Sequence, residues 1–320
     1  MNNQNSNKNP VTQGKDCQSG SCSGCSSNSS CSSAPKQGES PQYNVGEGFI
    51  LTEKNSIART IVVLSGKGGV GKSTVAVNLA SSLASQGFKV GLLDIDLHGP
   101  SIPTMMNLKN NCVDSIDKKL VPVDRYGIKV MSVGLLLKNT DDALIWRGPM
   151  KAGVIKQLLH DVVWGSLDYL IVDSPPGTGD EPLSICQEIQ TPFAAIIVTT
   201  PQEVAAADVR KSINFCRQLN VKVLGIVENM SGFICPDCGK EIPIFGAGGG
   251  SKIADEFGLN FLGKIPIDAN IGQTSDNGHM FVYDYGKTVN GKAFAKFLDQ
   301  VLTLAETTIP AGNDDRQALG

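Results

Sequence analysis

Residues Gly66-Lys67-Gly68-Gly69-Val70-Gly71-Lys72-Ser73-Thr74 fit the pattern G-x-x-x-x-G-K-[ST]. Its chemistry is the binding of Mg-ATP. The glycines let backbone N–H groups turn inward around a β-phosphate, and the helix N-terminus that follows adds its positive dipole end. Lys72 is placed to reach the β- and γ-phosphates and Ser73 to ligate Mg²⁺. A connecting turn is the plain alternative, but the complete motif stands between an apolar strand and a helix, as a phosphate loop does. Two aspartate segments add to it. Asp94-Ile95-Asp96 closes a second apolar strand, at the carboxyl end where open α/β sheets bind ligands. Leu170-Ile171-Val172-Asp173 ends in a Walker B type acid that would hold Mg²⁺ through water. The loop after it, Ser174 to Asp180, contains Gly177 and Gly179, which would let it respond to a γ-phosphate.

The second chemistry is sulfur. Cys235-Pro236-Asp237-Cys238 presents two thiolates at a spacing that fits one tetrahedral metal or one edge of a cluster. One chain supplies two ligands here, and a symmetric dimer would supply four. Half a zinc ribbon is an alternative. A redox dithiol is disfavoured, because the pair does not open a helix after a first strand. Cys17, Cys22, Cys25 and Cys31 form C-x4-C-x2-C-x5-C in a chain rich in Ser and Gly, which can wrap one cluster or one zinc ion. Cys112, Cys186 and Cys216 are isolated and read as ordinary core thiols. His98, His160 and His279 make no spacing pattern, and His98 reads as a loop residue beside Asp96.

The elements that must position these groups follow from periodicity. Apolar runs predict strands over Thr60 to Ser65, Lys89 to Asp94, Ile128 to Val133, Tyr169 to Asp173, Ala194 to Thr200, Val223 to Glu228 and Phe261 to Pro266. Helical patterns cover about Lys72 to Gln86, Lys151 to Val163, Pro182 to Ile189 and Val204 to Leu219. Strands alternating with helices predict an α/β fold, a doubly wound, mostly parallel sheet of the P-loop NTPase type. Gly246-Ala247-Gly248-Gly249-Gly250 reads as a hinge between the cysteine pair and the phosphate loop, or as a plain helix entry.

Of 320 residues, 41% are hydrophobic and 18% charged, which is enough apolar material for a large core. Residues 1–42 are the exception, a polar tail expected to be disordered apart from its four-cysteine motif. The ATPase domain is expected over 43–308, with a frayed tail over 309–320. A net charge of −3 implies no basic nucleic-acid face. No apolar run reaches the roughly 18–20 residues of a bilayer span, and no secretory signal pattern opens the chain. The expectation is a cytoplasmic protein with no membrane and no nucleic-acid partner, its nine cysteines in a reducing compartment.

The K-G-G-x-G-K-[ST] form, with Lys67 near its start, resembles the deviant Walker A class that includes the MinD, ParA and nitrogenase iron-protein relatives. That resemblance implies that Lys67 crosses a dimer interface to the partner's nucleotide, and that Asp96 orients the attacking water with Asp94 nearer the Mg²⁺ shell. It also implies adenine contacts at Asn229, Pro266 and Asp268. Six segments narrow it further: Trp146 to Met150, Asp173 to Asp180, Thr200-Pro201-Gln202, Glu228 to Ser231, Cys235 to Cys238 and Ile244-Phe245-Gly246. Together they resemble the Mrp/ApbC family of ATP-dependent iron–sulfur cluster carriers over about residues 45–305. The family implies a bridging 4Fe–4S cluster held by Cys235 and Cys238 of two protomers. It implies a homodimer or a hetero-oligomer with a related ATPase, slow ATP hydrolysis, and transfer of the cluster to apo-proteins. The last three N-terminal cysteines are spaced as in the eukaryotic-type cytosolic scaffold branch, which implies a second cluster there. The first gap is shorter than in that branch, so Cys17 does not match its pattern, and zinc stays open. Two other members of the class are alternatives. A positioning ATPase needs a membrane-seeking helix or a DNA-binding face, and the C-terminal stretch, with Pro310, Gly312, Asp314 and Asp315, offers neither. An electron-donating iron protein has its cysteines far apart in sequence, unlike Cys235 and Cys238.

Overall fold

The structure is a computed structural model and describes residues 55–137 and 148–311. The four N-terminal cysteines, the Trp146-Arg147 pair and most of the expected C-terminal tail lie outside these residues. The chain enters β1 (Ser56–Ser65), continues through α1 (Lys72–Ser85) and β2 (Val90–Asp94), and turns through the short α2 (Ile102–Met105). Short strands β3 (Asp114–Ile116), β4 (Lys119–Val121) and β5 (Val123–Arg125) precede β6 (Ile128–Ser132). Then come α3 (Gly148–His160), β7 (Ser166–Asp173), α4 (Asp180–Glu188), β8 (Phe193–Thr199), α5 (Glu203–Gln218) and β9 (Val223–Ile234). The remainder is β10 (Glu241–Ile242), α6 (Gly249–Phe257), β11 (Phe261–Ile267), α7 (Ala269–Asn277), α8 (Phe281–Asp284) and α9 (Val289–Thr308).

Nine strands form the main sheet. Its parallel body runs β11-β9-β8-β1-β7-β2-β6, with β5 antiparallel on β6 and β10 antiparallel on the far end of β9. This is the expected doubly wound α/β architecture. The central strand β1 is buried on both faces, as a parallel strand covered by helices must be. Ile61 and Val63 join one core with Val75, Leu79 and Leu83 of α1 and Phe294 and Phe297 of α9. Val62 and Leu64 join the other core with Ile155 and Leu158 of α3 and Ile185 of α4. Because β1 lies between β7 and β8, their carboxyl ends bring the loop at Gly66, Asp173 and Thr199 to one rim of the sheet.

The expected strands and helices are present, with two informative differences at their ends. β9 was expected to stop at Glu228 but continues to Ile234, straight to the cysteine pair. It does so through an irregular joint, where Met230 (φ 55°) and Gly232 (φ 78°) adopt left-handed backbone. The polar Glu228 to Ser231 stretch conceals this continuity in the sequence. At the C-terminal end, Ile309, expected to open the frayed tail, instead belongs to the core. Ile309 is buried, and its carbonyl accepts a hydrogen bond from Arg59 Nε at 3.2 Å.

Candidate nucleotide and cysteine sites

The phosphate loop is held on both flanks. Gly71 takes left-handed backbone at φ 79° and ends the turn into α1, where the Val75 N–H returns to its carbonyl at 3.0 Å. Only glycine adopts this conformation without strain. A side chain on Gly71 would collide with the Asn229 amide, and one on Gly66 with the Asp208 backbone in α5. Val70 is buried, and its carbonyl accepts from Asn229 Nδ2 at 2.9 Å. Gly68, Gly69, Lys72, Ser73 and Thr74 line a cleft of about 450 Å³ together with Asp96. Thr104 and Met105 of α2 and Ser275 and Asp276 of α7 also line it, and sequence reasoning missed all four. Lys67 is partly exposed, and its carbonyl accepts from Ser65 Oγ at 3.0 Å.

Two carboxyl groups meet one buried ammonium, and a third, Asp94, is buried behind them. Lys72 Nζ donates to Asp173 Oδ1 at 2.5 Å and stands 3.7 Å from Asp96 Oδ2. Burial raises the Asp173 carboxyl, against the pull of Lys72 and Ser73. Burial and the neighbouring Asp173 push Asp94 up to about 8, although the Asp96 N–H and the Ser132 hydroxyl pull it down. Asp94, expected near the Mg²⁺, uses both oxygens within the protein. Oδ1 accepts from the Asp96 N–H at 3.1 Å, and Oδ2 from Ser132 Oγ at 2.9 Å and the Ile102 N–H at 3.4 Å. It braces the loop that carries Asp96. Asp173 differs, because its fully buried Oδ2 has no hydrogen-bond partner among the described residues. An unpaired carboxylate oxygen near a serine hydroxyl is a donor set for a hard divalent cation. The residues present therefore fit Mg²⁺ at Ser73 and Asp173.

The loop that follows β2 is tied to α3 and to the start of α4. Lys151 Nζ of α3 donates to Glu181 Oε1 at 2.8 Å and lies 3.1 Å from His98 Nε2, which is 3.3 Å from the same oxygen. Lys151 holds the Glu181 carboxyl below its usual range. His98, expected to be a plain loop residue, thus joins the Asp96 loop to the start of α4. The Asp173 loop is pinned as well, with the Gly177 N–H on the Ser65 carbonyl at 2.7 Å. No local signal in the sequence could have paired residues this far apart.

Two of the residues expected at adenine have work inside the protein. The Asn229 amide braces the phosphate loop. Asp268 caps α7 by accepting from the Asn270 N–H at 2.9 Å, and its second oxygen accepts from Asn290 Nδ2 at 2.7 Å. Pro266 lies in β11, immediately before the end of that strand.

Beyond the joint in β9, Cys235 and Cys238 sit on a turn closed by hydrogen bonds from the Cys235 N–H to the Lys240 carbonyl and from the Gly239 N–H to the Cys235 carbonyl. Cys235 is half-buried and Cys238 exposed. Backbone N–H groups of Cys238 and Asp237 hold the Cys235 thiol below its ordinary range, which favours the thiolate a metal needs. Ile242, Ile244 and Phe245 stand exposed on the same hairpin. Cys186 and Cys216 are buried thiols, as expected, whereas Cys112, expected in the core with them, is exposed just before β3. Burial pushes them to about 11 and about 12.

With this geometry in hand, the relatives are informative. An iron–sulfur cluster carrier protein of Methanocaldococcus jannaschii is 49% identical over 260 residues, covering 81% of this chain and 88% of its own length. The cytosolic Fe-S cluster assembly factor NUBP2 of Gallus gallus is 47% identical over 261 residues, covering 79% of this chain and 96% of its own. Among solved structures, the nucleotide-binding protein of Archaeoglobus fulgidus in complex with ADP shares 46% identity at a TM-score of 0.63, over 71% of this chain and 89% of that one. MinD of Aquifex aeolicus, at 22% identity and a TM-score of 0.53 over 77% of this chain and 97% of its own, shares the fold. The family model described as the NUBPL iron-transfer P-loop NTPase, of the ParA type, matches residues 56–302, and the chain belongs to that family.

Proposed function

We propose that this chain is an ATP-binding iron–sulfur cluster carrier that assembles a 4Fe–4S cluster between two copies and passes it to apo-proteins. The observation that carries the reading is the course of β9. One strand holds the phosphate loop through Asn229 and then delivers Cys235 and Cys238 to an exposed turn, which offers two ligands where a cluster needs four. The partner is a second copy or a related ATPase, and the setting is the cytoplasm.

In this reading the phosphate loop binds ATP, and Ser73 and Asp173 hold Mg²⁺, which supplies charge stabilisation for phosphoryl transfer. The γ-phosphate competes with Asp173 for the Lys72 ammonium. Asp96 orients water for slow hydrolysis, Lys67 serves the partner's nucleotide, and Asn229, Pro266 and Asp268 border the adenine. Cys17, Cys22, Cys25 and Cys31 hold a second cluster, or zinc. The useful output of hydrolysis is conformational, a shift of the two aspartate loops that alters the dimer.

Anaerobic reconstitution with iron and sulfide tests the cargo, with iron, zinc and acid-labile sulfide counted per dimer. The wild type should gain about one more 4Fe–4S cluster per dimer than Cys235→Ala/Cys238→Ala. A wild type that holds zinc alone would sink the carrier reading.

A further inference from the structure

The residue before Asn229 has no role in the chemistry above, yet it is the most heavily bonded acid at this end of β9. Glu228 is 1% exposed and has no lysine or arginine partner among the described residues. Its Oε1 accepts from Ser231 Oγ at 2.6 Å and from the Gly248 N–H at 3.2 Å. Its Oε2 accepts from the Gly250 N–H at 2.6 Å. A buried carboxylate is costly, and three donors offset that cost only while all three stay in place. Gly248 and Gly250 stand at the start of α6, where the cysteine hairpin returns to the body of the protein. A Cβ on Gly250 would come within 3.1 Å of the Glu228 Cβ, so the carboxylate fixes a close contact.

Adjacent residues of a strand face opposite sides. Asn229 therefore meets the phosphate loop at Val70 and Gly71, while Glu228 meets the base of the hairpin. Between them and Cys235 lies the joint. Asn229 pairs with Ile265 and Phe233 with Ile267, so β9 spends four residues where β11 spends two, through the left-handed Met230 and Gly232. The hairpin is thus attached to β9 at two points, the joint and the Glu228 carboxylate.

We propose that Glu228 is a positioning residue that transmits the state of the phosphate loop to the cysteine hairpin: movement at Val70 and Gly71 reaches β9 through Asn229, and Glu228 carries it to Gly248 and Gly250. This rests on the reading that the phosphate loop binds ATP. It does not require that the cargo be a cluster, and the test uses none.

The test is hydrogen exchange by mass spectrometry on the full chain, with and without Mg²⁺ and a non-hydrolysable ATP analogue. In the wild type the analogue should change exchange across residues 235–250 by at least about threefold, the scale of a modest shift in local opening. Glu228→Gln keeps the shape but turns an NH₂ toward backbone donors. It should bind the analogue within about twofold of wild type while its hairpin exchanges alike in both states. If Glu228→Gln exchanges faster in both states but keeps the full nucleotide-dependent difference, the residue is structural only and the proposal fails. It fails equally if the wild type binds the analogue with no change in the hairpin. A wild type that binds no analogue overturns the ATP reading together with this one. Should Glu228→Gln not fold, Ser231→Ala removes one donor, and an undiminished response there counts against the proposal.

Discussion

At the phosphate loop, Lys72, Asp94, Asp96 and Asp173 are each less than a tenth exposed, whereas Cys235 is half-buried and Cys238 open to solvent. The first region gathers its buried charges within one chain. Its charges face one another at fixed distances, and Asp173 Oδ2, buried without a hydrogen-bond partner among the described residues, is suited to a cation. The second presents two thiols and a rim of exposed apolar side chains. Burial preorganises charge for positioning chemistry, while exposure leaves a ligand set to be finished by another molecule. Nucleotide binding should therefore start from the buried charges of one chain, with Lys67 alone directed at the partner's nucleotide, whereas cargo binding depends on assembly throughout.

The comparison can be broken first with thiol reagents. Native protein treated with iodoacetamide near pH 7.5 should be labelled at Cys235 and Cys238 about a thousandfold faster than at Cys186 and Cys216, because thiolate fraction and access both differ. Peptide mass spectrometry reads each site. Comparable rates would mean that the helical thiols are not protected in the fold. Next in size, Lys72→Ala should weaken ATP binding about 100-fold by calorimetry, since a buried charge-assisted contact is lost. Cys235→Ala/Cys238→Ala should leave that affinity within about twofold, and a large loss would show that the regions are not separable.

Two glycines sharpen the contrast. Gly71 and Gly239 both have left-handed backbone, at φ 79° and φ 70°. Around Gly71 the Asn229 amide occupies the space of a side chain, whereas Gly239 has nothing within 4 Å. Gly71→Ala should cost about 2–4 kcal/mol in denaturant unfolding, from backbone strain plus collision. Gly239→Ala should cost only the strain, about 1–2 kcal/mol.

The smallest effect is on pH. Because burial raises Cys186 to about 11 and Cys216 to about 12, the unfolded chain ionises these thiols first. Stability from this source is intact below the ordinary thiol value of about 8.5 and declines above it, by an amount on the order of 1 kcal/mol per thiol at pH 9. Cys216→Ala should flatten the decline between pH 8.5 and pH 10, and an unchanged slope would contradict the burial argument.

Much of the sheet was legible, because strands such as Ile61 to Leu64 and Tyr169 to Val172 are continuous apolar runs. The phosphate loop was legible for a related reason: its chemistry lies in nine consecutive residues. The partners of those residues were not. Asn229 meets Val70 across 159 positions, and Ser132 meets Asp94 across 38. Such contacts depend on which strands lie side by side, which no local pattern records. α9 is a different case. Its buried Phe294, Phe297, Leu298, Val301 and Ala305 repeat at helical spacing, so its signal was present and went unread.

The place of β1 in the sheet also bears on how the chain is made. Both strands that bond to it come much later, β7 at Ser166–Asp173 and β8 at Phe193–Thr199. At synthesis rates of about 5–20 residues per second, β1 emerges and waits on the order of 5–20 s before its first neighbour exists. During that time an apolar strand and the phosphate loop behind it are without a sheet. Such long-range parallel pairing is slow to form and open to misassociation. The ribosome-bound chain is therefore a natural client for a chaperone, and conditions that slow translation through residues 66–165 should lower the yield of soluble protein.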